Sequence, residues 1–280
     1  MLAYRHLFHA GSFADVFKHA LLTRLLLALV RKDKPLCYLD THAGTGLYDL
    51  THPWAQKNAE YRDGIARVWT RSDAPAGLTP YLAAVRAANP GGRLRAYPGS
   101  PRIACGLLRA TDRAVLCELN KDDCATLKAL FAADARVGVH HVDGYLALKA
   151  FLPPPERRGL VLVDSSFDQA GEFARLVEGL GIGHGRWDTG MFALWYPLME
   201  PPVMHAFERR VIATGIRKIL QLELSVLADR WTASLRGSGL LVVNPPFGLE
   251  REAEPLLEWL WRALAREGEG GVRVRWLVPE

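Results

Sequence analysis

The fold of this chain depends most on the stretch Leu39-Asp40-Thr41-His42-Ala43-Gly44-Thr45-Gly46. Residues 35–39, which lead into its turn, are apolar after a proline, a pattern typical of a short buried strand. The strand ends at an acid and a small-residue turn, where glycines such as Gly44 have no Cβ to keep a ligand from the main-chain amides. This pattern is typical of the nucleotide-cofactor corner of a doubly wound α/β sheet, although an isolated Gly-x-Gly is also common in ordinary tight turns.

Three further strands are predicted downstream of this turn, and each ends at a carboxylate. The three acids are Glu118, Asp143 and Asp164, and predicted helices over 122–131 and 145–151 separate them. Because the carboxyl ends of parallel strands meet at one edge of a sheet, we expect these acids to converge beside the glycine turn. The three strands span residues 113–118, 136–143 and 159–164.

The remaining pattern predicts additions to this sheet. A helix begins after Ser12, which can cap it, and another begins with Ser100 as its cap. Between residues 48 and 97 we predict two amphipathic helices and no strand, hence an inserted helical subdomain within a core made of 1–47 and 98–280. The short turn 236–239 makes the next strand antiparallel to its predecessor. Further predicted elements are strands 190–196, 218–227, 240–247 and 272–278 and helices 205–213 and 254–266.

Composition narrows the class of protein. The chain has 280 residues, of which 49% are hydrophobic, so one domain with or without an insertion can bury a large core. It contains no run of 18 apolar residues and no signal-like apolar start, so we expect a cytoplasmic protein without a membrane span. A net charge of +5 favours an anionic partner such as nucleic acid. No heptad or long apolar edge requires a second subunit, and we expect a monomer. The cysteines, expected to be reduced core thiols without metal-type spacing, are Cys37, Cys105, Cys117 and Cys124.

The first 19 residues combine histidines, basic side chains and aromatic rings. We interpret Tyr4, Arg5, His6 and Lys18 as part of an arm that contacts phosphate or a base of a nucleic acid. The alternative is a solvated terminal segment. The histidines and acids show no recognised i, i+4 metal-ligand pairing, so we expect no metal site.

The acids at the strand ends indicate which cofactor fits. Glu118 can accept both hydroxyls of a ribose, and Asp143 with Gly144 can take the exocyclic amine of an adenine. In an NAD enzyme a third glycine follows the turn and the ribose acid lies about 20 residues on, whereas here Glu118 lies far downstream. S-adenosylmethionine therefore fits better than NAD. Each acid could instead serve only as a turn or helix-capping residue.

Six stretches of the sequence resemble the bacterial large-subunit (23S) ribosomal RNA adenine-N6 methyltransferases of the J type. The resemblance implies a Rossmann-like class I methyltransferase sheet with an inserted helical subdomain. It also implies S-adenosylmethionine contacts from His19, His42, Ser100, Glu118 and the Asp143-Gly144 pair, and a place for Tyr4 near the target adenine. The six stretches are 4–19, 39–46, 97–101, 193–197, 213–219 and 278–280.

One departure from this family affects the chemistry. N6-adenine methyltransferases carry Asp/Asn-Pro-Pro-Tyr/Phe after the fourth strand, whereas this chain has Asp164-Ser165-Ser166-Phe167. Asp164 can still hold the amine and Phe167 can still stack on a flipped base, so both are candidate catalytic residues, together with Tyr4, whose place the resemblance implies. Asp164 is also expected, with Gly44, to contact the cofactor. Serines leave the turn looser and add competing hydroxyl groups, which predicts impaired turnover with cofactor binding retained.

Asn244-Pro-Pro-Phe247 matches the Asp/Asn-Pro-Pro-Tyr/Phe motif better than residues 164–167 do. We nevertheless expect it to be a structural turn, because its antiparallel strand ends at the opposite edge of the sheet. Three other functions stay open on sequence alone. The protein could be a non-catalytic RNA-binding module that keeps the fold, an NAD-dependent oxidoreductase, or a methyltransferase acting on a protein glutamine. The leading hypothesis is methylation of adenine N6 in free or partly assembled large-subunit ribosomal RNA.

Overall fold

Ten strands and nine α-helices make up the part of the chain that the computed structural model describes, residues 4–228 and 235–280. The strands are β1 (Cys37–Asp40), β2 (Leu47–Asp49), β3 (Ala96–Pro98), β4 (Arg113–Glu118), β5 (Val137–His141), β6 (Gly159–Val163), β7 (Met191–Pro197), β8 (Ile219–Ser225), β9 (Gly237–Val243) and β10 (Gly271–Val278). The helices are α1 (Phe13–Val30), α2 (Pro53–Asn58), α3 (Thr79–Ala87), α4 (Ser100–Leu107), α5 (Lys121–Leu130), α6 (Gly144–Phe151), α7 (Glu172–Arg186), α8 (Pro201–Ala213) and α9 (Leu249–Leu264).

Eight strands form one mixed sheet in the order β10-β8-β9-β7-β6-β1-β4-β5. β1 lies at the centre and pairs in parallel with β4 and β6, which extend in parallel to β5 and β7. β9 runs antiparallel to β7 and β8, and β10 runs antiparallel to β8. The predicted Rossmann-like, mostly parallel sheet with an antiparallel strand is confirmed, and β10 adds a second antiparallel strand.

Helices cover both faces of this sheet, so alternate strand residues point into two separate cores. Tyr38 of β1 joins the core under α1, α3, α4, α5 and α9, whereas its neighbour Leu39 joins the core under α6, α7 and α8. The run of apolar residues in β6, all buried, is what a strand covered on both faces requires. The two layers leave the carboxyl edge of the parallel strands open.

The prediction for residues 48–97 is partly wrong. Of the two expected amphipathic helices, only the second exists as such, as α3; the first region is the short helix α2 followed by 3₁₀ turns. Three-residue strands β2 and β3 pair antiparallel at the two ends of this segment, where no strand was predicted. Its apolar side chains, such as Ile65 and Tyr81, share one core with Leu25 of α1.

Two element boundaries correct the sequence analysis. Ser12 caps α1 as predicted, but the cap of α4 is Gly99, and Ser100 is the first helical residue. Ser100 does not cap because its hydroxyl donates to the Asp40 carboxylate at 2.7 Å. The turn expected over 236–239 is also wrong, because Ser238 and Gly239 already pair with β7 and β8 as part of β9.

The Asn244 turn lies where its strand direction predicts. Asn244 Nδ2 donates to the carbonyl oxygens of Asp188 at 2.7 Å and Gly190 at 2.8 Å, just before β7 begins. This is the amino edge of the parallel strands, opposite the glycine turn. The side chain therefore ties two loops together, as expected of a structural turn.

Buried surroundings account for the state of the thiols. All four cysteines are free and buried, as predicted, and burial raises the pKa of Cys37, Cys105 and Cys117 to about 12. Over residues 4–228 and 235–280, no helix combines the length and the apolar character needed to cross a bilayer.

Candidate functional site

A cavity of about 730 Å³ opens at the carboxyl edge of the parallel strands. The loops after β1, β4, β5, β6 and β7 form its wall, together with α1 and the arm before it. Every candidate site residue predicted from sequence lines this cavity except Arg5. The cavity-lining candidates are Tyr4, His6, Lys18, His19, His42, Gly44, Ser100, Glu118, Asp143, Gly144, Asp164 and Phe167.

The glycine turn brings backbone close to the cavity. Gly44 has φ +61°, and a Cβ there would lie 2.1 Å from the Tyr48 hydroxyl oxygen. A Cβ on Gly144 would lie 2.3 Å from the Thr41 carbonyl oxygen and 2.9 Å from the His42 ring. Both positions therefore require glycine, because the Tyr48 hydroxyl and the Thr41 carbonyl occupy the space that a Cβ would take, and both glycines line the cavity.

Glu118 and Asp143 serve backbone groups and also face the cavity. Glu118 accepts hydrogen bonds from the backbone N–H groups of Gly44 at 2.9 Å and Asn120 at 2.6 Å, and burial raises its pKa. Asp143 caps α6 through Oδ1, and its Oδ2 lies 3.5 Å from Arg175. The turn and capping roles considered from sequence are thus present, and both side chains still line the cavity.

His42 is held as a neutral ring. Thr41 Oγ1 donates its proton to the Leu162 carbonyl oxygen at 3.0 Å, so His42 Nδ1, 2.8 Å away, must be the donor to Thr41. Burial lowers the pKa of His42, which agrees with a single ring proton. The network therefore assigns Nε2 of His42 as a hydrogen-bond acceptor.

His19 is fixed from behind by two buried tyrosines. Its Nδ1 lies 2.8 Å from the Tyr97 hydroxyl, which in turn lies 3.0 Å from the Tyr81 hydroxyl. Burial lowers the pKa of His19 to about 3, so the ring is neutral at physiological pH. It presents an uncharged polar edge to the cavity rather than a cation.

Asp164 is joined to α1 by a buried ammonium group. Lys18 Nζ lies 2.5 Å from Asp164 Oδ2 and 2.9 Å from Asp15 Oδ1, and Lys18 is only 4% exposed. Burial alone lowers the pKa of Lys18, but the two carboxylates hold it above its ordinary value. Lys18 is therefore a charged residue that positions Asp164, and this cluster carries more negative than positive groups.

The arm enters the same cluster from the other side. The Tyr4 hydroxyl lies 2.9 Å from His6 Nδ1, and His6 Nε2 lies 3.0 Å from Asp15 Oδ2. Burial by itself raises the pKa of Asp15, but His6 and Lys18 lower it well below its ordinary value. Tyr4, His6, Asp15, Lys18 and Asp164 thus form one connected chain. Arg5 instead donates to Asp123 at 2.9 Å and joins the arm to α5.

The loop after β6 supplies an aromatic wall. Phe167, in the left-handed region at φ +52°, meets the Trp195 ring edge-on at 5.7 Å between centroids. Lys18 Nζ lies 5.9 Å from the centre of that Trp195 ring. Ser165 is buried, whereas the Ser166 hydroxyl donates to Asp168. The carboxylate of Asp164 and two aromatic rings therefore face one end of the cavity.

Two residues of this site had no role assigned from sequence. Asp15 lies three positions before Lys18 on α1, so helical spacing alone could have placed them on one face. Trp195 was read only as part of an apolar strand, because nothing local shows that it meets Phe167. Within residues 4–228 and 235–280, no group of three or more His, Cys, Asp or Glu side chains could hold a metal ion.

Comparison with known proteins gives consistent matches over the full chain. The sequence profile described as "RsmJ: Ribosomal RNA large subunit methyltransferase D, RlmJ" matches residues 33–278. The chain is 45% identical over 280 residues to ribosomal RNA large subunit methyltransferase J of Escherichia coli (strain K12), covering 100% of both. It is 41% identical over 281 residues to the protein of the same name from Haemophilus influenzae, again covering 100% of both. A crystal structure of a Legionella pneumophila protein superposes with a TM-score of 0.89 at 35% identity, over 96% of this chain and 98% of that one.

Proposed function

Because the chain belongs to the RlmJ family of ribosomal RNA large subunit methyltransferases, we propose that it methylates the N6 amine of an adenine in 23S ribosomal RNA. The observation that carries the proposal is the convergence of Asp164, Glu118, Asp143 and the Gly44 turn on one cavity. The family name agrees with the resemblance found in the sequence. The methyl donor we propose is S-adenosylmethionine, and the place of action is the cytoplasm.

The cavity suits this donor on three counts. Gly44 and Gly144 line the cavity without a Cβ, so a nucleoside can lie against main chain at the turn. Glu118 and Asp143 offer carboxylate oxygens for ribose hydroxyls and an adenine amine. When bound, S-adenosylmethionine supplies an electrophilic methyl group on a positively charged sulfur. The excess of carboxylates around Lys18 favours a cationic group at that position.

Asp164 and Phe167 are the groups we assign to the acceptor adenine. A base inside a duplex cannot reach a buried acid, so the adenine must be swung out of its stack. The edge formed by Phe167 and Trp195 can pack against the purine ring. The Asp164 oxygen not bonded to Lys18 accepts a hydrogen bond from N6 and is placed to take the proton that the amine loses after transfer.

Tyr4 and His6 are proposed to close the acceptor side, with Lys18 acting as the positioning residue for Asp164. The arm contacts both α1 and α5, so its rings face the cavity from a fixed direction. We propose free or partly assembled large-subunit RNA as the substrate, because most bases are hidden in a folded ribosome. We propose a monomer as the working unit.

Transfer of tritium from methyl-labelled S-adenosylmethionine to a 23S ribosomal RNA transcript tests the function. We expect N6-methyladenosine after nuclease digestion, and less product from mature subunits than from free RNA. Asp164→Asn should lower the rate by at least about 100-fold with the donor affinity nearly unchanged, because Asn keeps the shape but cannot take the proton. RNA binding without label transfer by the unaltered protein would instead identify a non-catalytic RNA-binding module.

A further inference from the structure

Phe8 of the N-terminal arm and two residues of α2, Trp54 and Lys57, form an aromatic and cationic surface. The rings of Phe8 and Trp54 are stacked, with 5.4 Å between centroids and 17° between planes. Lys57 Nζ lies 5.8 Å from the centre of the Phe8 ring. Trp54 and Lys57 are three positions apart on α2, so they point to the same side of that helix.

This surface is exposed, which is unusual for rings of this size. Trp54 is 44% exposed, while Phe8 is half-buried behind it. Trp54 stacks on Phe8 and meets the His52 ring at 5.2 Å and 74°, and the part of its indole that stays exposed can stack on a base. Lys57 forms no ion pair with any residue in the described ranges, so its charge remains available to an anion.

The surface is built from segments whose neighbouring residues line the cavity. His9 follows Phe8 directly, and its ring stacks on Tyr4 at 5.6 Å and 9°. His9 Nδ1 also lies 2.8 Å from Glu60, in the turn just after α2. Tyr4, His9 and Glu60 all line the cavity, so residues next to Phe8 and just after α2 belong to its wall.

We propose that Phe8, Trp54 and Lys57 bind an unpaired base of the RNA substrate and its phosphate, close to the adenine held in the cavity. The proposal rests on the proposed function, which makes RNA the substrate of the cavity. An aromatic ring can stack on any base, and a lysine can bind a phosphate. A stacked ring pair beside one lysine is therefore suited to single-stranded nucleic acid. The net charge of +5 agrees with an anionic partner.

Binding of a fluorescein-labelled 12-nucleotide oligoadenylate, measured by anisotropy with S-adenosylhomocysteine present, tests the proposal. Trp54→Ala should raise Kd at least about five-fold, the change expected for loss of one base–aromatic stack, and Trp54→Phe should restore most of the affinity. Lys57→Gln should lower the slope of log affinity against log salt by about one, because one phosphate contact is lost. The same oligoadenylate annealed to oligouridylate should bind independently of Trp54.

Trp276→Ala is the matched control, because Trp276 is 41% exposed on β10 and does not line the cavity. The proposal is overturned if Trp54→Ala and Trp276→Ala bind oligoadenylate equally well, or if Trp54→Ala weakens the duplex as much as the single strand. If Trp54→Ala does not fold, Lys57→Gln provides the test instead. An unchanged slope of log affinity against log salt in Lys57→Gln would then overturn the proposal. Methylation by the unaltered protein is measured separately. Binding that depends on Trp54 without methyl transfer would contradict the proposed function but support the role of this surface in RNA binding.

Discussion

Asp15 is the residue on which the arm and the acid after β6 both depend. It is 1% exposed and accepts from the Gly11 N–H at 2.9 Å while facing His6 and Lys18. Asp15 is paired with Lys18 at 2.9 Å, and Lys18 in turn contacts Asp164, so we expect the contribution of Asp15 to turnover to pass through Lys18. Removing one partner of such a buried cluster leaves the others uncompensated.

We predict that Asp15→Asn lowers kcat at least about ten-fold and the free energy of unfolding by about 3 kcal/mol. Because Asp15 helps to hold the pKa of Lys18 above its ordinary value, its loss should lower that pKa. The alkaline limb of the pH profile of kcat should therefore move to lower pH. Asp122→Asn, at a side chain 85% exposed, is the control and should change neither quantity. An unshifted pH profile in Asp15→Asn would leave only a structural role.

The serines after Asp164 have a second testable consequence. No backbone N–H of Ser165 or Ser166 donates a hydrogen bond to another described residue, so proline would remove no bond there. We predict that the double variant Ser165→Pro, Ser166→Pro raises kcat about ten-fold, because the turn stiffens and two competing hydroxyls disappear. Single-turnover rates and calorimetry with S-adenosylmethionine measure the two effects. Equal single-turnover rates in both proteins would falsify the idea that the serines impair transfer.

At the scale of elements, the contact between the loop after β1 and the start of α6 sets the shape of the cofactor side. Gly144 is the place where the two backbones come closest. We predict that Gly144→Ala weakens S-adenosylmethionine binding at least about ten-fold and destabilises the protein by about 1–3 kcal/mol, because Thr41 must move. Isothermal calorimetry and thermal unfolding measure these changes.

Gly106 provides the matched control for that substitution. It lies inside α4, and a Cβ there would meet nothing within 4 Å. Gly106→Ala should stabilise the protein by about 0.5–1 kcal/mol through helix propensity and leave donor binding unchanged. If both alanines behaved alike, close approach at Gly144 would not be what limits the site.

Elements with strong local patterns could be predicted from sequence, and elements fixed by tertiary contacts could not. β4 and β6 are continuous apolar runs that end in an acid, and their positions were predicted correctly. α7 was not predicted, because glycine has a low helix propensity and α7 contains four. Two of them are explained by packing: a Cβ on Gly179 would lie 2.6 Å from Tyr145, and one on Gly183 would lie 2.8 Å from Phe192. Such requirements are invisible before the neighbouring helix and strand are placed.

The same division applies to the site. The acids at the strand ends were found because a parallel sheet brings its carboxyl ends together whatever the loops do. Asp15 and Trp195 were not assigned, since their roles arise through Lys18, which contacts Asp164 and Trp195 across more than a hundred residues of sequence. Local sequence therefore indicates which edge of the sheet is used, and tertiary packing decides which side chains complete it.

At the scale of the whole molecule, one buried acid makes stability depend on pH. Asp40 accepts hydrogen bonds from Tyr38 and Ser100, each at 2.7 Å, yet burial raises its pKa from 3.8 to about 6. The folded state therefore binds a proton more readily than the unfolded chain. Ionisation of buried Asp40 therefore lowers the free energy of unfolding. This destabilisation is fully present well above pH 6 and is lost as the pH falls toward 4.

We predict that Asp40→Asn removes this dependence. When the pH falls from 7.5 to 4, the free energy of unfolding of the parent protein should rise relative to that of Asp40→Asn by up to about 3 kcal/mol. Urea unfolding at a series of pH values measures both proteins. Parallel curves across this range would show that Asp40 has the same proton affinity in the folded and unfolded states.

The reversed direction of β9 has a practical consequence for assigning function to related chains. A search for the tetrapeptide motif alone would select 244–247 as the acceptor loop, although these residues lie at the amino edge of the parallel strands, opposite the cavity. Strand polarity separates the two similar tetrapeptides, because β9 runs antiparallel to β7 and ends at the amino edge of the parallel strands. We therefore propose to begin mutagenesis at residues 164–167, which line the cavity although they match the motif less well.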